Sequence, residues 1–305
     1  MDINIWDIIQ KSLEKLYNEY KGKRNSYVHY TSIKAFSSIF DEYKKKPGEI
    51  VDSCVMHAGQ VRFLNDAEEY KSGVKWLREQ FETEGHLFNA TDENIYSISF
   101  CGEKDLLSQW KWYGKDSGIA IDYNIDNIKY HYWNVDGFPG DQKPDCDIHS
   151  KPLPICYSDE DKKLFFEATK KVLQEQGYIP SEIPEILSSF FIPFCKNECF
   201  TEEAESRQIF YLVDKDLCGD YGMSFDTSYN NDALKPILKV KFCQIDPAKN
   251  IINRLIVGPG QDQERIYNAL VHMFDSKPFK YDETSRLHEC ANGVIIEKSK
   301  IPFRS

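Results

Sequence analysis

Short apolar runs recur along the chain without a regular alternation of helical periodicity between them, and this ordering constrains the fold most. A doubly wound parallel sheet needs strict strand–helix succession, so the pattern favours an α+β fold with a mixed, largely antiparallel sheet. Extended runs are read at 27–30, 61–64, 95–100 and 118–123, then at 208–213, 237–242, 254–257 and 294–297. Residues 3–20 set Ile5, Ile9, Leu13, Leu16 and Tyr20 at three- and four-residue steps, which predicts an amphipathic helix. Thr31 or Ser32 is placed to cap a helix burying Ala35, Phe36, Ile39 and Phe40. A later helix aligns Tyr70, Val74, Leu77 and Phe81. One or two helical turns are expected over 106–113. Helices follow at 159–177, at 181–195 (interrupted by Pro184 and Pro193) and near 262–274. Gly137, Pro139, Gly140, Pro144, Pro152 and Pro154 make 134–154 a loop rather than a domain boundary. The organisation expected is an N-terminal helix over 1–26 and a single domain over 27–305, with a helical insertion near 159–195.

With 305 residues, 41% of them hydrophobic and 14% aromatic, the chain can bury a sizeable core without staples. A formal charge of −11 repels phosphate polymers and anionic lipid, so a nucleotide or nucleic acid would need a local basic pocket. No stretch approaches the ~18 apolar residues of a membrane span. The opening MDINIWDIIQ lacks the basic stretch of a secretory signal. Nine cysteines without regular spacing read as reduced thiols in a cytoplasmic protein. Cys54 with His57, Cys146 with His149 and Cys195 with Cys199 have no second half at zinc spacing, so no metal is expected. Walker A, GxGxxG, GxSxG and HExxH patterns do not occur.

Four stretches carry residue types that do chemistry. His29 and Tyr30 sit at a strand end on opposite faces; His29 is either a hydrogen-bonded structural residue or a ligand contact. Arg62 precedes Asn65, Asp66, Glu68 and Glu69, which suit a helix cap and its acidic first turn. Capping leaves Arg62 unexplained, and a guanidinium there suits a phosphate or a carboxylate. Trp110, Trp112 and Tyr113 crowd one segment. Trp110 and Tyr113 would share a helical face, as core or as a flat platform for a nicotinamide or base. Glu203 and Glu205, two apart ahead of an apolar strand, would share a face continued by Arg207. Two such carboxylates repel unless water, a cation or a ligand hydroxyl lies between them; a solvated acidic loop is the plain alternative.

Taken in order, these stretches resemble a bacterial domain family catalogued only as a domain of unknown function. Its pattern is matched by Val28-His29-Tyr30-Thr31-Ser32, Leu64-Asn65-Asp66-Ala67-Glu68-Glu69, Ser99-Phe100 and the segment from Trp110 to Tyr113. Gly118 to Tyr123, Glu203 to Arg207, Val257-Gly258-Pro259 and Ser299 to Arg304 continue it, with Leu64, Ala67 and Phe303 as departures. A more distant similarity is to ADP-ribosyltransferases: a histidine–threonine strand end, a late E-x-E before a strand and an aromatic segment between them. That likeness implies an ADP-ribosyltransferase-like sheet core and NAD as substrate. Glu205 would stabilise the oxocarbenium-like ribose, Glu203 would orient the acceptor or take its proton, and His29 would bind the nicotinamide-side ribose. The same likeness implies a ligand-contacting surface from Tyr30, Thr31, Arg62, Asn65, Asp66, Glu69, Ser99, Trp110, Tyr113 and Arg207. Trp110 or Tyr113 would stack on nicotinamide, and Arg62 or Arg207 would offset the pyrophosphate. A macromolecular acceptor (protein or nucleic acid), a regulatory or antitoxin partner, and a growth-arresting role in phage defence would go with that activity. Two other readings stand beside it. One is a non-catalytic binding or sensor module whose carboxylates are paired to Arg62 or Arg207. The other is a nuclease in which Asp66, Glu69, Glu203 and Glu205 hold magnesium.

Overall fold

The computed structural model describes residues 9–15, 26–41, 46–63, 67–82, 95–114, 118–131, 150–178, 183–211, 223–227, 234–276 and 286–302. They form a mixed α+β fold whose strands pair mostly antiparallel. The chain divides into two compact units: Met1–Lys23, His57–Ser99 and Tyr132–Val240 in one, Arg24–Met56, Phe100–His131 and Lys241–Ser305 in the other.

In the first unit, residues 9–15 are helical and bury Ile9 and Leu13; Ile5, Leu16 and Tyr20 lie outside the described residues. The stretch 61–64, expected as a strand, instead has Val61–Phe63 as a 3-10 turn. The strand lies just before it, Ser53–Gln60, which begins in the second unit and enters the first at His57; Cys54, Met56, Ala58 and Gln60 are buried in alternation. Its last residues pair with the Ile95–Phe100 strand, Gly59 opposite Ser97 and Gln60 opposite Tyr96. The helix Ala67–Glu82 follows and buries Leu77. It also presents Gly73, where an added Cβ would lie 3.3 Å from both Cys195 Cβ and Ile192 Cα, so only glycine admits this approach without movement. The expected insertion lies wholly in this unit as the helices Asp159–Glu175 and Ile183–Phe191. Ser158 starts the first of these by accepting from the Asp161 N–H, with three acids in the favourable first turn. Pro193 falls where the second tightens into a 3-10 turn, Ile192–Phe194. Their aromatic faces merge: Trp76 stacks on Phe191 at 4.8 Å and Phe165 meets Phe194 at 5.1 Å. The strand Ser206–Tyr211 pairs at its start with Leu153–Pro154.

The second unit is organised by a five-stranded sheet in the order Val28–Thr31, Ile119–Tyr123, Ile252–Val257, Ile295–Lys298, Leu287–Glu289. Only the Ile252–Val257/Ile295–Lys298 pair runs parallel, Arg254 opposite Ile295 and Val257 opposite Lys298. A parallel pair needs a crossover, and the helix Gln263–Phe274 supplies it, burying Ile266, Tyr267, Leu270, Val271 and Phe274. Ser32, one of the two expected caps, accepts from the Ala35 N–H and starts the helix Ile33–Ile39. The strand Ile128–His131 pairs with the end of Leu234–Gln244. Phe100, Tyr123, Phe242 and Tyr130 form a continuous edge-to-face aromatic cluster there. Sequence periodicity missed the short strands at Ile128–His131, Leu153–Pro154, Met223–Thr227 and Leu287–Glu289.

Candidate functional site

The acidic pair resolves into a buried ion cluster in the first unit. Asn197 caps the short turn Glu198–Glu203, its Oδ1 accepting from the Cys199 N–H at 2.9 Å. Ala204 then takes a left-handed φ of 44°, the one positive φ at a non-glycine among the described residues. That reversal ends the turn and starts the extended segment, so Glu203 and Glu205 do not sit on one strand face as expected. They converge on Lys196 instead. Its Nζ donates to Glu203 Oε2 at 2.7 Å and to Glu205 Oε2 at 2.8 Å, and lies 4.8 Å from the Phe200 ring centre. Arg207 Nε donates to Glu205 Oε1 at 2.6 Å, Nη2 to Oε2 at 3.2 Å and Nη1 to the Pro193 carbonyl at 2.8 Å. The Tyr157 hydroxyl accepts from the Glu205 N–H.

Glu205, Arg207 and Lys196 are 4%, 2% and 7% exposed. Burial by itself pushes the Glu205 carboxyl up; Arg207 and then Lys196, by charge and hydrogen bond, outweigh it and hold the group at about 2. Burial pushes the Tyr157 hydroxyl far above its ordinary value, and the Glu205 carboxylate adds to that. The cation required between two close carboxylates is therefore Lys196, which sequence reasoning passed over. The available signal was its place: the first basic residue after Lys171, at the end of the apolar run Phe190 to Cys195.

The second unit holds the aromatic segment and the histidine. Tyr30 is buried; its hydroxyl donates to the Glu103 carbonyl at 2.8 Å and accepts from the Leu106 N–H at 2.9 Å. Its ring meets Trp110 edge to face at 4.8 Å. The Trp110 N–H donates to Asp105 Oδ1 at 2.7 Å, and the Ser299 hydroxyl donates to the same oxygen. Trp110 and Tyr113 do not share a face: Trp110 is buried, whereas Tyr113 is 40% and Trp112 62% exposed. The reason is local. Trp110–Gly114 is a π turn, wider than an α turn, which brings Gly114 rather than Tyr113 against the Trp110 ring. Gly258 lies equally close, since a Cβ there would stand 2.7 Å from Trp110 Cε3. Trp110 is a core residue closed in by glycines.

His29 is half-buried in the first strand, opposite Ile121, and Thr31 is buried opposite Ile119. Ser99 is half-buried within Ile95–Phe100, and Arg62 is exposed on the Val61–Phe63 turn. Asn65 and Asp66 lie outside the described residues, as does the side chain of Glu69. Thus Glu203, Glu205 and Arg207 come together in one unit, and Tyr30 and Trp110 in the other.

No protein-family model matches this chain, no curated protein matches it, and no solved structure matches its fold. The resemblance therefore stands on the quoted residues alone. Among the described residues no helix is long and apolar enough to cross a membrane. Cys54, Cys101, Cys156, Cys195, Cys199, Cys243 and Cys290 are free thiols. One group with the donors and spacing for a metal ion occurs among the described residues, Asp275, His288 and Cys290, none of which stood out in the sequence.

Proposed function

We propose that the chain is a binding module that consumes no nucleotide, with Glu203, Glu205 and Arg207 serving its fold. One observation carries this reading: both oxygens of the buried Glu205 carboxylate accept from Arg207 and Lys196. A carboxylate that stabilises an oxocarbenium-like ribose must turn an oxygen toward the sugar. Glu205 is 4% exposed, so reaching a sugar would mean turning out of the core and away from Arg207 and Lys196, and breaking a buried pair costs about 3–5 kcal/mol. One oriented contact to a transition state returns about 3–4 kcal/mol, so nothing is gained by the exchange. The same pairing occupies Arg207, one of the two guanidiniums, with Arg62, that the transferase reading offers to pyrophosphate. The nuclease reading meets a similar obstacle, because an ammonium already bridges Glu203 and Glu205. The contact element of such a module is the exposed part of the 107–113 segment. Leu107 and Trp112 are each 62% exposed on a turn held from beneath by Trp110, Asp105 and Ser299. An exposed, rigidly held indole suits a planar aromatic ligand.

The test is nicotinamide release from NAD by the wild-type chain and by Glu205→Gln, alongside thermal melts with NAD and with magnesium. Release at the buffer rate by both proteins, with any NAD effect confined to the melting temperature, is the expected result. Wild-type release that Glu205→Gln abolishes would overturn the reading in favour of the transferase.

A further inference from the structure

We propose that Asp275, His288 and Cys290 form a binding site for a divalent transition-metal ion of the zinc class. One ligand atom from each lies within 4.8 Å of the other two. The three residues come from two pieces of the second unit that the fold fixes independently. Asp275 terminates the helix Gln263–Phe274 with extended backbone. His288 lies in the strand Leu287–Glu289, whose antiparallel register sets it opposite Ile296. Cys290 follows two residues on, so strand alternation returns its side chain to the same face. The turn after it is closed by the Cys290 N–H to the Val294 carbonyl and the Gly293 N–H to the Cys290 carbonyl, both at 2.9 Å. Gly293 has a φ of +86°, which lets the chain turn back there.

The carboxylate is already aimed. Asp275 Oδ1 accepts from the Ala291 N–H at 3.1 Å, which turns Oδ2 toward His288 Nε2 at 2.6 Å. An orienting bond of this kind is the usual support of a metal-binding carboxylate. An aspartate–histidine pair would be complete without a thiol; Cys290, 3% exposed and within reach of both, adds a soft donor that such a pair does not need. Oxygen, imidazole nitrogen and thiolate together suit zinc and disfavour calcium and magnesium, which take oxygen donors. When the ion binds, the thiol gives its proton to solvent, the ring gives up the Nε2 proton that bonds Asp275 and binds through that lone pair as a neutral imidazole protonated on Nδ1, and the carboxylate and thiolate balance the divalent charge. Nε2 and Oδ2, now 2.6 Å apart, must then separate by about 0.8 Å to the spacing of two ligands on a tetrahedral ion, since zinc binds nitrogen and oxygen at ~2.0–2.2 Å. His288 is 26% exposed at its side chain, which leaves the ion a route in. Three protein ligands leave the fourth position of a tetrahedral ion to solvent, the arrangement of a reactive rather than a purely structural site.

The experiment is titration of the chelator-treated full chain with zinc and with cobalt, the cobalt followed by its absorption spectrum. One ion per chain is expected, with a thiolate-to-cobalt charge-transfer band and the visible bands of tetrahedral cobalt. Cys290→Ser removes the charge-transfer band. His288→Asn, at a partly exposed ring, weakens affinity by at least the ~100-fold that loss of an orienting partner alone can bring. Zinc-edge X-ray absorption on the wild-type chain makes the outcome independent of how the variants fold. One sulfur at ~2.3 Å with nitrogen and oxygen at ~2.0–2.2 Å supports the site. No uptake, a charge-transfer band that survives Cys290→Ser in a folded protein, or a zinc shell without sulfur or with several sulfurs would each overturn it.

Discussion

Glu205→Gln tests the ion cluster, because glutamine keeps the shape of the side chain and removes its charge. Arg207, 2% exposed, then loses its carboxylate, while Lys196 retains Glu203. Removing one partner of a buried pair costs about 3–5 kcal/mol, and the surviving Lys196–Glu203 bond sets the expected loss near the lower end, about 3 kcal/mol. The titration of Glu205 gives a second route to the number. Its carboxyl is held at about 2 against an ordinary 4.5. A folded-state value below the unfolded one means stability that is fully present above pH 4.5 and is lost as pH falls toward 2. At about 1.4 kcal/mol per pH unit, that interval corresponds to about 3 kcal/mol. Urea unfolding followed by tryptophan fluorescence, at pH 7 and in steps down to pH 3, measures both. The wild type should be more stable than Glu205→Gln by about 3 kcal/mol at pH 7, and the two should approach each other as the medium is acidified. Glu205→Gln combined with Arg207→Met should recover part of the loss, since neither buried charge then remains alone. A difference below about 1 kcal/mol at pH 7, or parallel acid profiles, would refute the reasoning.

Other expectations are local. Trp110→Ala should cost about 3–5 kcal/mol in urea unfolding, and Trp112→Ala no more than about 0.5, because the first ring is core and the second is 62% exposed. Gly258→Ala should lower stability by about 1–3 kcal/mol, since its Cβ would stand 2.7 Å from the Trp110 ring; an unchanged melting temperature would contradict that packing. Ala204→Gly should be neutral or stabilising by up to about 1 kcal/mol, because the left-handed backbone penalises a side chain. Ser32→Ala should cost about 1 kcal/mol through loss of the bond from the Ala35 N–H, readable as a shift in the urea midpoint.

Much of the fold was legible where one side chain type dominated a stretch. The strands at Ile95–Phe100 and Ile119–Tyr123 and the end of Ile252–Val257, Leu255 to Val257, are mostly buried apolar runs, and the helix Gln263–Phe274 shows its stripe plainly. The strand Ser53–Gln60 was missed because its inward positions are Cys54, Met56, Ala58 and Gln60, which carry little β-branched or aromatic signal. The shift at 61–64 has the same origin: Val61 and Phe63 look extended, but they belong to the turn by which that strand ends. Short partners such as Leu153–Pro154 and Leu287–Glu289 exist because a neighbouring strand offers its edge, which spacing within their own few residues does not record.

The candidate site was legible in its residue types and not in its geometry. E-x-E-x-R on an extended backbone predicts two acids and a guanidinium in a row, and that inference fails at a single residue, Ala204, whose left-handed turn separates Glu203 from the strand. What then brings the acids together is Lys196, seven residues before Glu203, reaching both with one ammonium. A pair of glutamates aimed at a ligand and a pair aimed at a lysine are written identically in the chain; the distinction lies in whether a cation elsewhere is forced out of water. Lys196 follows Phe190, Phe191, Ile192, Pro193, Phe194 and Cys195, all buried, so its ammonium has little choice but to find carboxylates. A basic residue at the end of a long apolar run is therefore the feature to weigh before any acidic pair downstream is assigned to catalysis, because burying that charge unpaired would cost more than the pair could return in rate.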